Sequence, residues 1–302
     1  MKPTKVNTEV IKISVSEFAR ALDLEVVFEG RGEVPLQSIS VSRPGLQLSG
    51  YLKHFDSTRI QVLGHAEYEY MRELNREKRL TMIDALFGKN IPCLIIARGL
   101  EFTADTLEAA KKYNCPLFRS SKITTVLIND ITIYQSELLA PTEVMHGVLV
   151  DVFGVGKSEI ALELVNRGHR LIADDSVIIK NINDQLVGKS PEKIRYYMEI
   201  RGIGIINIQR MFGPGSVRPE KGVDIIAELS PWEQGKNYDR IGINEVYEDI
   251  LDIKIQKVTI PVTPGRNIPI VLETAARKFR LKQEGYDPAS DLMESVFGQT
   301  AE

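Results

Sequence analysis

One short segment near the middle of the chain restricts its fold more than any other. The apolar run GVLVDV is followed by Gly154, Val155, Gly156, Lys157 and Ser158, and then by SEIALELVNRG, whose apolar residues recur at helical spacing. Strand, glycine-rich turn and helix in this order form a phosphate-binding loop. In such a loop the backbone N–H groups and the helix N-terminus face a phosphate, the lysine reaches the terminal phosphates and the serine can hold Mg²⁺. The segment therefore predicts an α/β domain with a nucleotide site.

The match to the Walker A pattern is incomplete. The spacing G-x-x-x-x-G-K-[ST] requires glycine at position 151, where this chain has Asp151. A three-residue GKS run also arises by chance in many proteins. The flanking strand and helix patterns are what support a phosphate site here.

Two adjacent carboxylates, Asp174 and Asp175, follow the apolar run HRLIA. We expect that run to be a strand parallel to GVLVDV, which would make a βαβ unit. Carboxyl ends of parallel strands line the ligand crevice of an α/β sheet, so one carboxylate could act as a base or approach a metal. The alternative is a solvated turn or a cap, the commoner place for an acidic pair.

Three further side chains are candidates on chemical grounds. His146 directly precedes the GVLVDV run, although a single histidine at a strand entrance is usually structural or exposed. Glu199 lies in EIRGIGIIN, which predicts either a hairpin edge or a ledge for metal and substrate. Arg240, in YDRIG, stands beside turn residues, where an arginine is solvated in most proteins but can also clamp a phosphate.

The first half of the chain predicts alternating helices and strands. Ser14 and Glu17 have capping-box spacing at the start of a short helix. RELNREKRLTMIDALF and KITTVLINDITIYQSELLA predict further helices, IPCLIIARG predicts a buried strand, and the helix opened by Asp105 should end near Asn114. This alternation is again typical of an α/β fold.

Length and charge narrow the class of protein. A chain of 302 residues suggests two domains, and Pro141 supplies a boundary between 1–140 and 141–302. With 38 basic and 41 acidic side chains, the net charge of -3 gives no general attraction to nucleic acid or to an anionic membrane. No apolar run is long enough to span a bilayer. Two cysteines are too few for a disulfide framework, so we expect a protein of the reducing cytoplasm.

Several segments in a fixed order resemble the HPr kinase/phosphorylase family. In the second half these are MHGVLVDVFG, GKSEIALELVNRGHRLIADD, EIRGIGIIN, YDRIG and IPVTPGRN, and in the first half VSRPGLQLSGYLKHFDSTRIQVLG and ARGLE. The resemblance extends over nearly the whole chain and is far more specific than a phosphate loop alone. It implies two domains, an N-terminal α/β domain of uncertain role and a C-terminal P-loop kinase domain.

The resemblance also implies a function. Members of the family are bifunctional bacterial enzymes of carbon catabolite repression. They use ATP or pyrophosphate, with Mg²⁺, to phosphorylate a serine of the phosphocarrier protein HPr, and they remove that phosphate by phosphorolysis with inorganic phosphate. They are cytoplasmic homohexamers.

Position by position, the resemblance assigns roles to residues of this chain. Lys157 would contact the transferred phosphate. Asp175 would accept the proton of the serine hydroxyl in the kinase direction and return it in the reverse reaction. The catalytic set would be His146, Lys157, Asp175 and Arg240, the nucleotide would lie on the loop from Gly154 to Ser158, and the metal would be held by Ser158 and Glu199.

In one respect the chain departs from the family pattern. Family sequences place a hairpin turn and a second apolar strand before the phosphate loop, so about eleven residues are absent here, including the first Walker glycine. A segment lost from the sequence, an engineered deletion and a natural loss are all open. Losing a central strand would leave buried backbone groups unpaired, so we expect a spatial gap near Gly154 and Val155.

The shortened loop leaves two alternatives to the family's activity. One is a catalytically impaired oligomer that still binds HPr. The other, a P-loop kinase for a small metabolite, accounts for the GKS and ADD segments but not for the remaining segments in their order.

Overall fold

The computed structural model describes residues 10–150, 158–233, 245–263 and 265–297. The chain divides into two compact units, Met1–Ala140 and Pro141–Glu302. Each unit has its own buried apolar clusters.

The first unit is a layered α/β structure. Its elements are β1 Ile11–Ser14, α1 Val15–Leu22, β2 Glu25–Phe28, β3 Glu33–Leu36, β4 Val41–Ser42, α2 Gly45–Leu48, β5 Ile60–Leu63, α3 His65–Glu73, α4 Arg76–Phe87, β6 Leu94–Ile96, α5 Ala104–Tyr113, β7 Leu117–Arg119 and α6 Thr124–Leu138. Five strands form a sheet in the order β2-β7-β6-β5-β4, and β4 to β7 are parallel neighbours. Strand β2 runs antiparallel at one edge.

Alternate side chains of this sheet face two separate cores. Val62 and Ile95 pack on one face with residues of α1 and α6, while Leu63 and Leu94 pack on the other with residues of α3, α4 and α5. Strand residues that alternate between two buried faces read as continuous apolar runs, which is why IPCLIIARG predicted a buried strand. Ser14 caps α1 by accepting a hydrogen bond from the backbone N–H of Glu17.

The second unit contains mostly antiparallel strands and three longer helices. Its elements are β8 Thr142–His146, β9 Leu149–Val150, α7 Ser158–Asn166, β10 Leu171–Ala173, β11 Ser176–Ile182, β12 Gln185–Lys189, β13 Tyr197–Ile200, β14 Gly204–Asn207, α8 Ile208–Phe212, β15 Glu220–Gly222, β16 Ile225–Pro231, β17 Val246–Ile250, β18 Ile253–Val262, α9 Ile268–Gln283 and α10 Pro288–Phe297. Strands β15-β12-β11-β8 form an antiparallel sheet, and β16 pairs in parallel with β18.

The prediction of a parallel βαβ unit is wrong. Strand β9 pairs antiparallel with β10, so that Leu149 lies opposite Ala173 and Val150 opposite Leu171. We had inferred a parallel pair because a helix separates the two strands. However, the last residue of β9 lies opposite the first residue of β10. Helix α7 begins at the other end of β10, where Ser158 contacts Asp174. The strand before α7 therefore runs opposite to the direction that a βαβ unit requires.

Three expected elements differ from the structure in their limits. RELNREKRLTMIDALF is divided between α3 and α4, because Asn75 caps α4 by accepting from the N–H of Lys78. HRLIADDSVIIK, which as a whole predicts one strand, forms two strands, β10 and β11, with the acidic pair between them. The apolar residues of KVTIPVTPGRNIPIVLE predict a strand throughout, but IPIVLE begins α9, which Asn267 caps.

Gly30 occupies a position that no larger residue should fit. Its φ is +55°, and an added Cβ would lie 2.6 Å from the backbone nitrogen of Pro116. Gly32, at φ +75°, has open space around it. We expect Gly30→Ala to lower the free energy of unfolding by about 3 kcal/mol or more, because left-handed strain and a backbone clash act together. Gly32→Ala, with strain alone, should cost about 1 kcal/mol. Urea unfolding, monitored by circular dichroism, measures the free energy of unfolding of both variants. Equal losses of stability in the two variants would contradict a backbone clash at Gly30.

Candidate functional site

The carboxylate of Asp174 joins three parts of the second unit. Asp174 follows β10 and is 6% exposed. The hydroxyl of Ser158, at the start of α7, lies 2.9 Å from Oδ1 and 3.1 Å from Oδ2 of this carboxylate. The backbone N–H of Glu199, in β13, donates to Oδ2 at 3.2 Å. The beginning of the helix, the end of the strand and the hairpin are thus held at one point.

Opposing effects act on the pKa of Asp174. Burial raises it above the usual value, while hydrogen bonds from the Ser158 hydroxyl and from the backbone N–H groups of Glu199 and Asp175 favour the charged form. The net direction is upward. A buried carboxylate beside a hydroxyl offers hard oxygen ligands, and a divalent cation would compensate the cost of keeping that carboxylate ionised. The donor set therefore fits Mg²⁺.

The side chain of Asp175, the next residue, is not buried with that of Asp174. It is exposed, and its backbone is left-handed at φ 63°. Its carbonyl oxygen accepts a hydrogen bond from the N–H of Gly147 at 3.0 Å, and the next residue, Ser176, pairs with His146 across β11 and β8. The turn therefore gives the two adjacent carboxylates different surroundings, one buried and bonded, the other open to a reactant.

All four predicted site residues that the structure describes lie on segments that come together. His146, Ser158, Asp175 and Glu199 all lie on segments that meet at Asp174 or at its neighbour in the turn. The side chains of His146 and Glu199 are exposed. EIRGIGIIN forms the hairpin β13–β14, with Glu199 opposite Ile205, so the prediction of a hairpin is confirmed, and a strand of this hairpin carries the acidic residue.

The resemblance gave no role to Asp174, although the structure places it at the centre of these contacts. The sequence signal was the acidic pair itself, in which either carboxylate could approach a metal. Local pattern does not say which member of a pair turns inward. In the structure Asp174 is buried, while Asp175, in a left-handed conformation, is exposed.

Several predicted residues lie outside the described part of the chain: Gly154, Val155, Gly156, Lys157 and Arg240. The expected spatial gap near Gly154 also falls there. Within the described ranges, no group of three or more His, Cys, Asp or Glu residues could hold a metal ion. Magnesium is commonly bound by one or two carboxylates together with substrate phosphates, so its ligands need not form such a group. Among the helices described, none has both the length and the apolar character needed to cross a membrane.

An ion cluster ties the end of α7 to α9. Glu273 accepts hydrogen bonds from Arg167 at 2.9 and 2.6 Å, and its carboxylate lies 2.8 Å from Nε2 of His169. Arg167 and then His169 are the main causes that lower the pKa of Glu273 to about 2. Because α7 begins at Ser158, this cluster also fixes the helix that carries the site hydroxyl.

The lowered pKa of Glu273 predicts a pH-dependent stability. Because the pKa of Glu273 is lower in the folded protein than in the unfolded chain, the ionised carboxylate stabilises the fold above pH 4.5. This contribution is lost as the pH falls towards 2 and the carboxylate becomes protonated. After allowance for solvent screening, we expect ionised Glu273 to contribute about 1 to 2 kcal/mol to the free energy of unfolding. Urea midpoints of the native protein and of Glu273→Gln should differ at pH 6 and converge as the pH falls from 4.5 towards 2. Glu284→Gln, which removes an exposed pair with Arg280, is the control and should change little at either pH. A constant difference between the native protein and Glu273→Gln would contradict the assignment.

Comparisons with known proteins identify the family of this chain. A family model described as HPr Serine kinase N terminus matches residues 13–134, and one described as HPr Serine kinase C-terminal domain matches residues 137–296. The HPr kinase/phosphorylase of Peptoclostridium acidaminophilum is 46% identical over 301 positions, which cover 96% of this chain and 98% of that protein. That of Thermoanaerobacter sp. (strain X514) is 42% identical and covers 95% and 98%. A solved HPr(Ser) kinase/phosphatase from Coxiella burnetii is 34% identical over 50% of this chain and 99% of its own, with a TM-score of 0.45.

These matches define a two-domain phosphotransferase. The chain belongs to the HPr kinase/phosphorylase family. The impaired, HPr-binding alternative gains no support, because relatives aligned over nearly their whole length carry the name of the active enzyme.

The alignment with the Peptoclostridium protein is 301 positions long and includes 96% of the 302 residues of this chain, or about 290 residues. About eleven residues of that relative therefore have no counterpart in this chain.

Proposed function

We propose that this chain phosphorylates a serine of HPr with ATP or pyrophosphate and removes the phosphate with inorganic phosphate. The observation that carries the proposal is the junction at β10, where Ser158 and the backbone of Glu199 both bind the carboxylate of Asp174 while the neighbouring Asp175 is exposed. Phosphoryl transfer needs charge neutralisation and positioning more than covalent chemistry, and this junction can provide both.

Ser158, Asp174 and Glu199 are the described residues that would hold Mg²⁺. When bound, the ion would neutralise charge on the phosphates of the nucleotide. Asp174 orients the Ser158 hydroxyl through its bidentate contact and fixes the start of α7. The exposed carboxylate of Glu199 lies on the neighbouring hairpin and supplies a second negative charge.

Asp175 is the proposed base. In the kinase direction the proton of the serine hydroxyl passes to the carboxylate of Asp175 as the new O–P bond forms and the bond to the leaving group breaks. The leaving group is ADP when ATP is the donor and inorganic phosphate when pyrophosphate is the donor. In the reverse direction the same carboxyl group returns the proton to the serine oxygen. Its exposed position and its difference from Asp174, which is occupied by three hydrogen bonds, support this division of roles.

The remaining parts of the proposal come from the family. Lys157 would contact the transferred phosphate on the loop from Gly154, and Arg240 and His146 would complete the catalytic set. A homohexamer in the cytoplasm belongs to the same proposal. Cys93 and Cys115, both buried and free, are compatible with a reducing compartment.

The test is transfer of labelled γ-phosphate from ATP to HPr by purified chain whose intact mass has been measured against 33.9 kDa. We expect Mg²⁺-dependent labelling of HPr, none of an HPr variant without the acceptor serine, and release of label as pyrophosphate when inorganic phosphate is added. A folded chain of the expected mass that leaves HPr unlabelled would overturn the proposal.

A further inference from the structure

A cavity of about 510 Å³ lies in the second unit. Its lining comes from the turn between β11 and β12, the segment between β15 and β16, strands β17 and β18, and the last turn of α9. Cavities of about 300 to 1,000 Å³ hold small organic ligands in many proteins. The described residues that line this one include none of those proposed for phosphoryl transfer, so the cavity is a separate candidate site.

The most buried residues of the cavity are apolar. Leu186, Val223 and Ile255 are at most 8% exposed and belong to one buried cluster. The aromatic side chains of Tyr247 and Phe279 also line the cavity, and Tyr247 remains 52% exposed. A ligand with apolar groups would remove this aromatic surface from water, which favours its binding.

Two side chains of opposite charge line the same cavity. Asp184 lies in the turn between β11 and β12, and Lys254 lies in β18. Both are exposed, and within the described residues neither side chain makes an ion pair or a hydrogen bond. They are not paired with each other, so their charged atoms are more than about 4 Å apart. Lys282, by contrast, lines the cavity but is already paired with Asp287.

Three amide side chains complete the polar part of the lining: Gln185, Gln256 and Gln283. None of the three side chains has a hydrogen-bond partner among the residues that the structure describes. A primary amide offers both N–H donors and a carbonyl acceptor, and peptide groups need one of each. The lining therefore suits a ligand that contains peptide bonds.

We propose that this cavity binds a short apolar peptide with free termini. Asp184 pairs with its ammonium group and Lys254 with its carboxylate, while the glutamines bond its peptide groups. The termini of an extended dipeptide are about 7 Å apart, which allows each to reach a charge that the other does not. Because the charges of Asp184 and Lys254 cancel, the cavity favours such a zwitterion over an anion.

Isothermal titration calorimetry of the full chain tests the site, with the dipeptide leucyl-phenylalanine as the probe. The reference ligand is the same dipeptide with an acetylated N-terminus and an amidated C-terminus. We expect the free dipeptide to bind at least about tenfold more tightly, because the blocked form keeps the apolar groups but lacks both charges. Equal affinities, or no binding of the free dipeptide at about 10 mM, would overturn the proposal.

Two variants test which terminus each charge holds. Asp184→Asn removes the charge but keeps a residue that tolerates the left-handed backbone at φ 60°, and Lys254→Gln removes the opposite charge. Each should weaken binding of the free dipeptide at least about tenfold. Asp184→Asn should not weaken binding of the dipeptide that is acetylated only, nor Lys254→Gln that of the dipeptide that is amidated only, because in each case the partner charge is already absent.

Asp23→Asn is the matched control. Asp23 is also exposed and left-handed, at φ 56°, but it lies in the first unit, so this substitution should leave the affinity for the dipeptide unchanged. Thermal unfolding of each variant shows whether the fold is intact. Undiminished binding of the free dipeptide by folded Asp184→Asn or Lys254→Gln would refute the site.

Discussion

Asp175→Asn is expected to reduce transfer of phosphate to HPr by about a hundredfold to ten-thousandfold. The amide has nearly the same size as the carboxylate but cannot accept the proton of the serine hydroxyl. The fold should survive, because asparagine tolerates the left-handed backbone that Asp175 adopts at φ 63°. Initial rates in both directions, measured with saturating HPr and ATP or phosphorylated HPr and phosphate, give the effect.

The chain offers a matched control for this substitution. Asp252 is also exposed and left-handed, at φ 65°, in the turn between β17 and β18. Asp252→Asn makes the same chemical change in the same backbone conformation, so it should leave both rates within about twofold. If Asp175→Asn kept more than a tenth of the native rate, the carboxylate would not be the base.

Asp174→Asn should act through the metal. The amide lowers the negative charge beside Ser158, so we expect Mg²⁺ affinity to fall about tenfold to a hundredfold. Raising the Mg²⁺ concentration should restore part of the activity, which it should not do for Asp175→Asn. Rates measured against Mg²⁺ concentration, with thermal unfolding recorded without nucleotide, separate loss of metal from loss of fold.

A double-mutant cycle with Ser158→Ala sharpens this test. The Ser158 hydroxyl and the Asp174 carboxylate are hydrogen-bonded at 2.9 and 3.1 Å, so the two substitutions remove parts of one interaction. Their effects on Mg²⁺ affinity should be less than additive. Additive effects, or an unchanged Mg²⁺ dependence in Asp174→Asn, would contradict a shared role in holding the metal.

The α/β class of both domains was predictable because local signals agree with the packing. The spacing of Ser14 and Glu17 gives α1 its cap, and Asn114 ends α5 in a left-handed conformation, as expected. The helix over KITTVLINDITIYQSELLA forms although it is rich in β-branched residues. Leu127 and Ile131 bury one of its faces, and such tertiary packing outweighs a weak helix propensity.

Local sequence pattern could not predict the direction of the strands or the orientation of the side chains. An apolar strand, a helix and a second apolar strand can close in either direction, and only pairing with Leu149 shows that β10 is antiparallel. Similarly, the residue types at Asp174 and Asp175 are identical. Asp174 is nevertheless buried and Asp175 exposed. This difference accompanies the left-handed conformation of Asp175 and the contacts of Asp174 with Ser158 and Glu199, which are distant in sequence.

The left-handed turn at Asp175 also bears on how new relatives of this protein should be judged. A backbone at φ 63° favours glycine, asparagine and aspartate, whether or not the protein is active. A relative that had lost its activity would therefore still tend to keep one of these residues because of its fold. Aspartate at this position can thus persist by geometry alone, whereas the buried carboxylate of Asp174, whose pKa is raised by burial, is costly to keep without a cation. Retention of Asp174 together with the hydroxyl at Ser158 is accordingly the stronger sign of a working enzyme.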